Sequence, residues 1–591
     1  MEAATDLRLR CRAPLSSLRP KTPLRLPPSS RADFDRAPGP SSAGRADARA
    51  LDRIGLETAL SQRVLPMERA GWVTPVACTD IDVFTRLEPG LTARLGPVVF
   101  RRKAERDILA EIERLRAPYL ARRAETRTPA RESCRGWSGA RTGAIAVLVA
   151  SLGLAVTLAW PRAAVLALAA WTALTLVSVT LLRSLGALVE FRHARRMART
   201  WTSRRPDPPL GPLPRISLLV PLYRETEIAS RLVERLGRLA YPRHRMEVCL
   251  ILEASDTATA DALDAASLPP FMRVVRVPDG ACRTKPRAMN YAFDFTQGDI
   301  VGIYDAEDRP ARDQLLKIAQ AFSRAGPEVA CLQGVLDFYN PRQSWLTRCF
   351  TIDYAAWFRL VLPGLVRLGF VIPLGGTTVF FRRAALESLG RWDAQNVTED
   401  ADLGLRLARH GFRCAFVPTV TEEEATASVP AWIRQRSRWI KGYWVTWAVH
   451  MRDPLRLLGD LGPLRFIGVQ ILFLGTLSQF VLAPVLWSFW LIVFGLPHPL
   501  THVAPPGVVP ALAALFFFCE VATMAILAAS VATPRGSWLI KWVPLMHLYF
   551  PLAALASWKG MAELVTRPFY WDKTQHGLTV NRSRPASQAH L

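Results

Sequence analysis

Ile300-Val301-Gly302-Ile303-Tyr304-Asp305-Ala306-Glu307-Asp308-Arg309-Pro310 decides how the middle of this chain is read. A short apolar run bounded by a turn signal reads as a buried strand. Its carboxyl end runs straight into three carboxylates within four residues. Left alone, these repel one another and destabilise an ordinary loop. A divalent cation with oxygen preference, Mg2+ or Mn2+, relieves that repulsion and can bridge two phosphates. A solvated acidic turn ahead of Pro310 is the plainer alternative, and the stretch by itself does not choose.

The neighbouring sequence supplies the context. Residues 216–222, 248–252 and 274–277 read as further strands, with helical patterns between them. Alternating strands and helices predict an α/β domain with a mainly parallel sheet covered on both faces. In such sheets ligands gather beyond the carboxyl ends of the strands. There the 248–252 strand meets Glu253, with Asp256 three residues on. Downstream lies Val397-Thr398-Glu399-Asp400-Ala401-Asp402-Leu403, where Thr398 is placed to cap a helix continued by Leu403 and Leu407. Acids at a helix start are commonly no more than dipole partners. Next comes Gln435-Arg436-Ser437-Arg438-Trp439, in which Gln435, Arg438 and Trp439 share one helical face. An arginine there suits a diphosphate and a tryptophan suits a sugar ring. An interfacial basic helix with Trp432, Trp439, Trp444 and Trp447 in an aromatic belt fits equally well.

The flanks are of another kind. The 591 residues exceed one compact domain. Lys and Arg number 75 against 50 Asp and Glu, a net charge of +25, yet half the residues are hydrophobic and mean hydropathy is +0.13. Nucleic acid is excluded as the partner of this charge, because the arginines crowd against apolar stretches and no nucleic-acid motif accompanies them. Residues 143–160 and 163–182 are each near the length of a membrane helix, and basic clusters flank the pair on both sides. That predicts a hairpin with both ends in the cytoplasm. Residues 466–494, 508–528 and 538–556 are apolar again, ahead of a basic tail. A cytoplasmic tail demands an even number of crossings, so one proline-bearing segment is expected to be a hairpin or re-entrant, 466–494 with Pro484 first. Nine scattered cysteines without a C-x-x-C pair read as reduced, mostly buried thiols.

The expected order is a disordered Arg/Pro-rich tail over 1–50, a small α/β module over 51–116 and a basic juxtamembrane linker over 117–141. A transmembrane hairpin over 142–183 follows, with a stiff linker over 206–214. The α/β domain with its interfacial helix covers 206–450, a transmembrane bundle 466–556 and a cytoplasmic tail 557–591. In the module, Leu56, Leu60 and Val64 are set at helical spacing, 72–78 and 98–100 as strands, and 104–115 as a helix. No apolar stretch follows Met1, so no cleavable signal peptide is expected.

Taken in order between two membrane blocks, Asp305-Ala306-Glu307-Asp308, Thr398-Glu399-Asp400 and Gln435-x-x-Arg438-Trp439 resemble the membrane-embedded family 2 glycosyltransferases of the cellulose, hyaluronan, chitin and curdlan synthase type. Arg283-Thr284-Lys285-Pro286, Gln333-Gly334, Gly375-Gly376-Thr377-Thr378 and the tail from Arg567 to Thr574 support the likeness. The resemblance implies a GT-A fold, Rossmann-like, and an enzyme that moves a sugar from a UDP-sugar onto a growing β-linked polysaccharide with inversion. Processive synthesis and export through the chain's own bundle are implied; polar residues such as Gln470, Gln479 and His547 are candidates to line the exit, with helix–helix hydrogen bonding the preferred reading for them. A single-addition enzyme acting on a lipid-linked acceptor is the alternative, and a non-catalytic membrane scaffold a more distant one. The resemblance assigns Asp400 as the catalytic base and Asp305, Glu307 and Asp308 as holders of Mg2+ or Mn2+. Glu253, Asp256, Lys285, Asp305, Glu307, Gln435, Arg438 and Trp439 are assigned to the donor nucleotide and diphosphate. Gly375, Gly376, Thr377, Glu399 and Trp439 are assigned to the acceptor. Glu253 and Glu307 stand where the family commonly has aspartate. The implied partners are the UDP-sugar, a glycan acceptor and the lipid bilayer, in a bacterial inner membrane with the catalytic domain cytoplasmic. The 51–116 module is similar to the N-terminal domain of type II secretion ATPases. A protein-contact module for secretion or regulatory partners is the preferred reading there, and a regulatory nucleotide site the alternative. The cyclic-di-GMP motif pair that often accompanies this family is not evident.

Overall fold

The computed structural model describes residues 44–200, 211–225 and 229–570. Residues 1–43 of the expected tail, 206–210 of the expected linker and the segment from Trp571 onward lie outside the described residues. The chain divides into two compact units that meet at Glu111 and Ile112.

The first unit is a small α/β module. Its three strands, β1 (Val64–Pro66), β2 (Thr74–Cys78) and β3 (Val98–Arg102), pair in the order β1-β2-β3, the first pair antiparallel and the second parallel. Helices Ala48–Ile54, Leu56–Gln62 and Ile81–Leu95 cover them, burying Leu51, Ile54, Leu60 and Leu91. Asp47 accepts hydrogen bonds from Arg49 N and Ala50 N and so starts the first helix. Val64 was expected on a helix with Leu56 and Leu60. It opens β1 instead, because Arg63 turns into the left-handed region (φ 55°) and ends the helix one residue earlier. The helix expected over 104–115 spans Glu105–Thr126. Part of the basic stretch read as linker is therefore helical, with Leu120 and Ala124 buried four residues apart.

The second unit is built on an eight-stranded sheet. Its strands are β4 (Ile216–Leu222), β5 (Met246–Glu253), β6 (Met272–Val277), β7 (Ile300–Ile303), β8 (Arg309–Pro310), β9 (Val329–Phe338), β10 (Val379–Arg382) and β11 (Arg413–Glu423). They lie in the order β6-β5-β4-β7-β10-β9-β11-β8. β6, β5, β4 and β7 are mutually parallel, as expected. All eight β5 residues are buried, which is why its 248–252 stretch, between Glu247 and Glu253, reads as an apolar run. The other half is mixed. β9 and β11 are parallel, while β10 runs against both neighbours and β8 runs against β11. Leu218, Val220, Val248, Leu250, Leu315 and Ile318 join one apolar core beneath. This is the GT-A-type α/β fold, its sheet mainly parallel as expected, with antiparallel pairings at β10 and β8.

Reversal at β10 places the site. β10 begins where β7 ends, and Thr378 N donates to Ile303 O at 3.0 Å. The Gly375-Gly376-Thr377 turn ahead of β10 is thereby set beside the acidic loop that follows β7.

Among the described residues five helices are long and apolar enough to cross a membrane: Gly139–Ala159, Pro161–Arg196, Trp345–Arg367, Pro463–Val481 and Val508–Val531. A bent pair, Ser537–Tyr549 and Leu552–Thr566, makes a sixth candidate. Over 466–494 the structure has most of the Pro463–Val481 helix and, after Leu482, a shorter apolar helix, Ala483–Val493, which Pro484 starts. The 45° bend falls at Phe550-Pro551, the other proline-bearing segment. Trp345–Arg367 was not anticipated as an apolar helix. Two thirds of its apolar window is buried inside the protein, and it crosses the Pro161–Thr200 helix at Gly186 and Gly364. A Cβ on Gly364 would stand 1.8 Å from Gly186 O, so this crossing admits only glycine at that point. All eight described cysteines are free thiols, most of them buried.

Candidate active site

A cavity of about 550 Å3 opens beyond the carboxyl ends of β4, β5 and β7. Most of the residues singled out from the sequence line it: Glu253, Lys285, Asp305, Glu307, Gly375, Gly376, Thr377, Glu399, Asp400, Gln435, Arg438 and Trp439.

Lys285 is the hub. It starts the Lys285–Phe293 helix, and its Nζ donates to Asp305 Oδ1 and, at 2.9 Å, to Gly376 O. Burial alone would lower the lysine, but Asp305, Glu399 and Asp400 outweigh it and hold the ammonium above its ordinary value. Across the cavity the Glu399–Arg409 helix presents two acids. Burial, then the Asp400 charge, pushes Glu399 up to about 7. Burial also raises Asp400, against the pull of Lys285 and Arg438. Asp400 Oδ1 accepts from Ala401 N at 2.9 Å, while its Oδ2 lies against Gly376, where a Cβ would sit 3.1 Å away. Thr398 occupies the N-cap position without a side-chain cap; its hydroxyl turns to Asn396 Oδ1 instead.

Gln435, Arg438 and Trp439 project from the Val429–His450 helix onto the same cavity. Gln435 Oε1 accepts from Thr426 Oγ1 at 3.1 Å, which orients its amide. Trp439 packs at a tilt against Tyr354, ring centroids 6.4 Å apart, under the Arg436 guanidinium.

Two sequence candidates do not reach the cavity wall. Asp256 is the N-cap of the Thr257–Asp264 helix. It accepts from Thr259 N and Arg224 N, so both its oxygens are taken in holding a turn. Asp308 is fully buried under the acidic loop, where Oδ2 accepts from Asp305 N at 2.8 Å and from Thr377 Oγ1. Burial and the charges of Asp305 and Glu307 raise it well above the usual carboxylate range. Its other oxygen, Oδ1, has no hydrogen-bond partner among the described residues.

The structure also adds residues that the sequence reading missed. Glu423, at the end of β11, lines the cavity with a buried oxygen that finds no hydrogen-bond partner among the described residues. Burial and the acidic loop push it far up as well. Tyr354 and Trp357 come from the Trp345–Arg367 helix; Phe569 and Tyr570, part of the tail motif already singled out from the sequence, also line the cavity. An aromatic run at helical spacing, Tyr354-x-x-Trp357-Phe358, was the available signal for the first pair.

A second cavity of about 230 Å3 adjoins the first and shares Tyr354, Trp357, Arg436, Trp439 and Tyr443 with it. It lies among the apolar helices and is lined by Trp432, Trp487 and Trp490 together with Thr476, Gln479, Glu520 and His547. Glu520 Oε2 lies 3.4 Å from His547 Nδ1. Gln470 is not on this wall and makes instead the helix–helix hydrogen bond preferred for it from the sequence. It joins two helices by accepting from Trp447 Nε1 at 2.9 Å.

Among the described residues no three His, Cys, Asp or Glu side chains converge as a ready-made metal site. Asp305 and Glu307 nonetheless face the cavity, above two carboxylates that burial keeps from ionising freely. Two cavity carboxylates, completed by phosphate oxygens, form a hard-oxygen donor set that suits Mg2+ or Mn2+.

Residues 214–442 match the family described as "Glycosyltransferase like family 2", and this stretch is a family 2 glycosyltransferase domain. The chain is 30% identical over 305 residues to a beta-monoglucosyldiacylglycerol synthase of Synechocystis sp., covering 50% of this chain and 61% of that protein. It is 24% identical over 365 residues to a probable glucomannan 4-beta-mannosyltransferase of Arabidopsis thaliana, covering 60% of each. A UDP-forming cellulose synthase catalytic subunit of Komagataeibacter sucrofermentans is 28% identical over 242 residues, 39% of this chain and 30% of that one. The chain thus spans about 60% of the length of the first of these relatives. Among solved structures, a mannosyltransferase from Pyrobaculum calidifontis in complex with GDP-Man and Mn2+ is similar over 69% of this chain and 99% of that one, at 20% identity and a TM-score of 0.39.

Proposed function

We propose that this protein is an inverting membrane glycosyltransferase that adds sugars from a UDP-sugar to a growing β-linked polysaccharide and passes the product into its own helical bundle. The observation that carries this reading is the pair of adjoining cavities with a common wall at Trp439 and Tyr354. One holds the acids and the guanidinium needed for transfer. The other is lined by tryptophans and hydroxyl, amide and carboxylate groups, the composition that stacks on sugar rings and bonds their hydroxyls. An acyl chain asks for none of those polar groups, and placing them among apolar helices is costly.

The donor's nucleoside lies toward Glu253 and Lys285, and its diphosphate toward Asp305, Glu307 and Arg438. A divalent ion at Asp305 and Glu307 supplies charge neutralisation for the leaving diphosphate when bound. Arg438 adds a fixed positive charge from the protein itself. Lys285 holds the Asp305 carboxylate and the Gly376 carbonyl in place, which fixes the gap between the acidic loop and the acceptor turn. Asp400, raised by burial, takes the proton from the acceptor hydroxyl as that oxygen attacks the anomeric carbon. Trp439 offers its face to the acceptor sugar at the junction of the cavities. A single displacement from an α-linked donor leaves a β linkage. The bacterial inner membrane, with the catalytic domain cytoplasmic, is the proposed location, and the basic flanks of the apolar helices support it.

A second reading is transfer of one sugar to a lipid hydroxyl presented from the membrane side. The likeness to glucosyldiacylglycerol synthases favours it. Purified protein in nanodiscs, given Mg2+ or Mn2+ and a panel of UDP-sugars, separates the two through UDP release and product size, with Asp400→Asn as control. A long polymer supports the first reading, and one sugar on a lipid supports the second. Absence of UDP release with every donor refutes both.

A further inference from the structure

The donor end of the cavity is held from outside the glycosyltransferase domain. Glu253 faces the cavity, and behind it lies Arg287, whose side chain is wholly buried. Arg287 Nη1 is 3.4 Å from Glu253 Oε2, and its Nε donates to Glu125 Oε1 at 3.0 Å. Glu125 is near the end of the Glu105–Thr126 helix, more than a hundred residues before its partner and ahead of the first apolar helix. The same Glu125 oxygen accepts from Ala281 N at 2.9 Å. Ala281 belongs to the loop that leads from β6 into Arg283, Thr284 and Lys285, all on the cavity wall. One carboxylate therefore restrains both the arginine behind Glu253 and the loop that delivers Lys285.

Neighbouring contacts fix the carboxylate in turn. Asn290 Nδ2 donates to Ala124 O at 2.9 Å, and Gln395 Nε2 donates to Glu125 O at 3.4 Å. Gly280 leaves the space that the pair occupies, since a Cβ there would stand 2.2 Å from Glu125 Oε1 and from Arg287 Nη2. Serving a buried guanidinium with a second carboxylate is costly unless the geometry is held. Here three separate segments hold it.

We infer that Glu125 is a positioning residue of the donor site: it holds Arg287 against Glu253 and the 278–281 loop in register, and so sets the affinity for the nucleotide. This rests on the reading of Glu253 and Lys285 as donor contacts. The charged and titratable groups around Glu253 are Arg287, Arg283, Asp279 and Cys282, with Glu125 acting through Arg287. Burial raises Glu253 to about 7 and Arg287 opposes it. With Glu125 gone, Arg287 has one carboxylate to serve instead of two, and Glu253 ionises at lower pH.

The test uses the full chain in nanodiscs and the variants Glu125→Gln, Glu125→Ala and Glu253→Gln, with UDP as the binding probe and UDP release as the rate. Glu125→Gln keeps the shape and removes the charge. It is expected to raise the donor KM and the UDP dissociation constant about tenfold, the effect of loosening one charge-assisted hydrogen bond, with kcat within twofold. The limb near pH 7 in the donor KM moves to lower pH. Glu125→Ala shows the same changes more strongly. Unchanged KM, UDP affinity and pH limb in folded Glu125→Gln overturn the proposal, as does a loss confined to kcat or to the yield of folded protein. Glu253→Gln keeps two failures apart. If it weakens UDP binding while Glu125→Gln does not, Glu125 alone is misassigned. If it leaves UDP binding unchanged, the donor reading of the cavity falls and the proposal falls with it.

Discussion

Gly376→Ala probes how closely the base is held. A Cβ at this position would lie 3.1 Å from Asp400 Oδ2 and 3.8 Å from Lys285 Nζ. Ordinary contact begins near 3.4 Å, so the carboxylate must retreat by about 0.3 Å while the ammonium need not move. A displacement of about 1 Å costs roughly a hundredfold in a positioned reaction, and scaled logarithmically 0.3 Å costs about fourfold. Gly376→Ala is thus expected to lower kcat about fourfold, with donor KM within twofold and Tm unchanged. Gly375→Ala is the control. Its Cβ would meet Leu336 Cδ1 at 3.0 Å and the Phe358 ring at 3.2 Å, which is an apolar clash. It should cost about 1 kcal/mol of stability and leave kcat nearly intact. UDP release and thermal unfolding on both variants decide the matter. Unchanged kcat in Gly376→Ala, or a loss found in Gly375→Ala alone, refutes the placement of Asp400 as the base against this turn.

Asp400→Asn should reduce turnover by about 10²–10⁴-fold with UDP binding retained, as titration calorimetry can check. Turnover requires ionised Asp400, so kcat should rise with pH through a midpoint above the ordinary carboxylate value. Glu399→Gln removes the neighbouring negative charge and should move that midpoint down, as a pH–rate profile reads directly. Lys441, buried, donates to Glu563 Oε2 and Tyr570 O at 2.9 Å and so ties the end of the chain to the cavity. Lys441→Met should cost about 2 kcal/mol in unfolding measurements and raise the donor KM through the loosened Tyr570. Gly364→Leu drives a side chain into Gly186 O and should cost about 3 kcal/mol or prevent folding, while Gly369→Ala nearby meets no atom within 4 Å and tests backbone strain alone.

The acidic side of the cavity was legible because its acids follow strands, and strand ends in an α/β sheet are where ligands collect. Asp305, Glu307 and Glu253 could be placed by that rule, and the helix periodicity of Gln435, Arg438 and Trp439 held. Asp256 and Asp308 show the limit of the rule. A carboxylate close to a strand end serves a turn equally well, and sequence does not say whether its oxygens are already taken. Glu423, Tyr354 and Trp357 were missed because crossings of elements far apart in sequence bring them to the cavity. The mixed half of the sheet was missed for a related reason. β8 and β10 have two and four residues, too few for a period to register. Pro484 sits at the start of a helix, where proline is at ease, whereas the 45° bend falls at Phe550-Pro551, where proline between two helical segments breaks the ladder.

The glycine crossing at Gly186 and Gly364 has a mechanical meaning. At this point the backbones of the Trp345–Arg367 and Pro161–Thr200 helices approach without room for a side chain between Gly364 and Gly186 O, so the two helices are held at close range there. The first of these helices carries Tyr354 and Trp357, which belong to both cavities. The wall common to the two cavities thus stands beside a tight crossing of two helices, and on the proposed reading an acceptor would pass it by its own movement and that of the opposite wall.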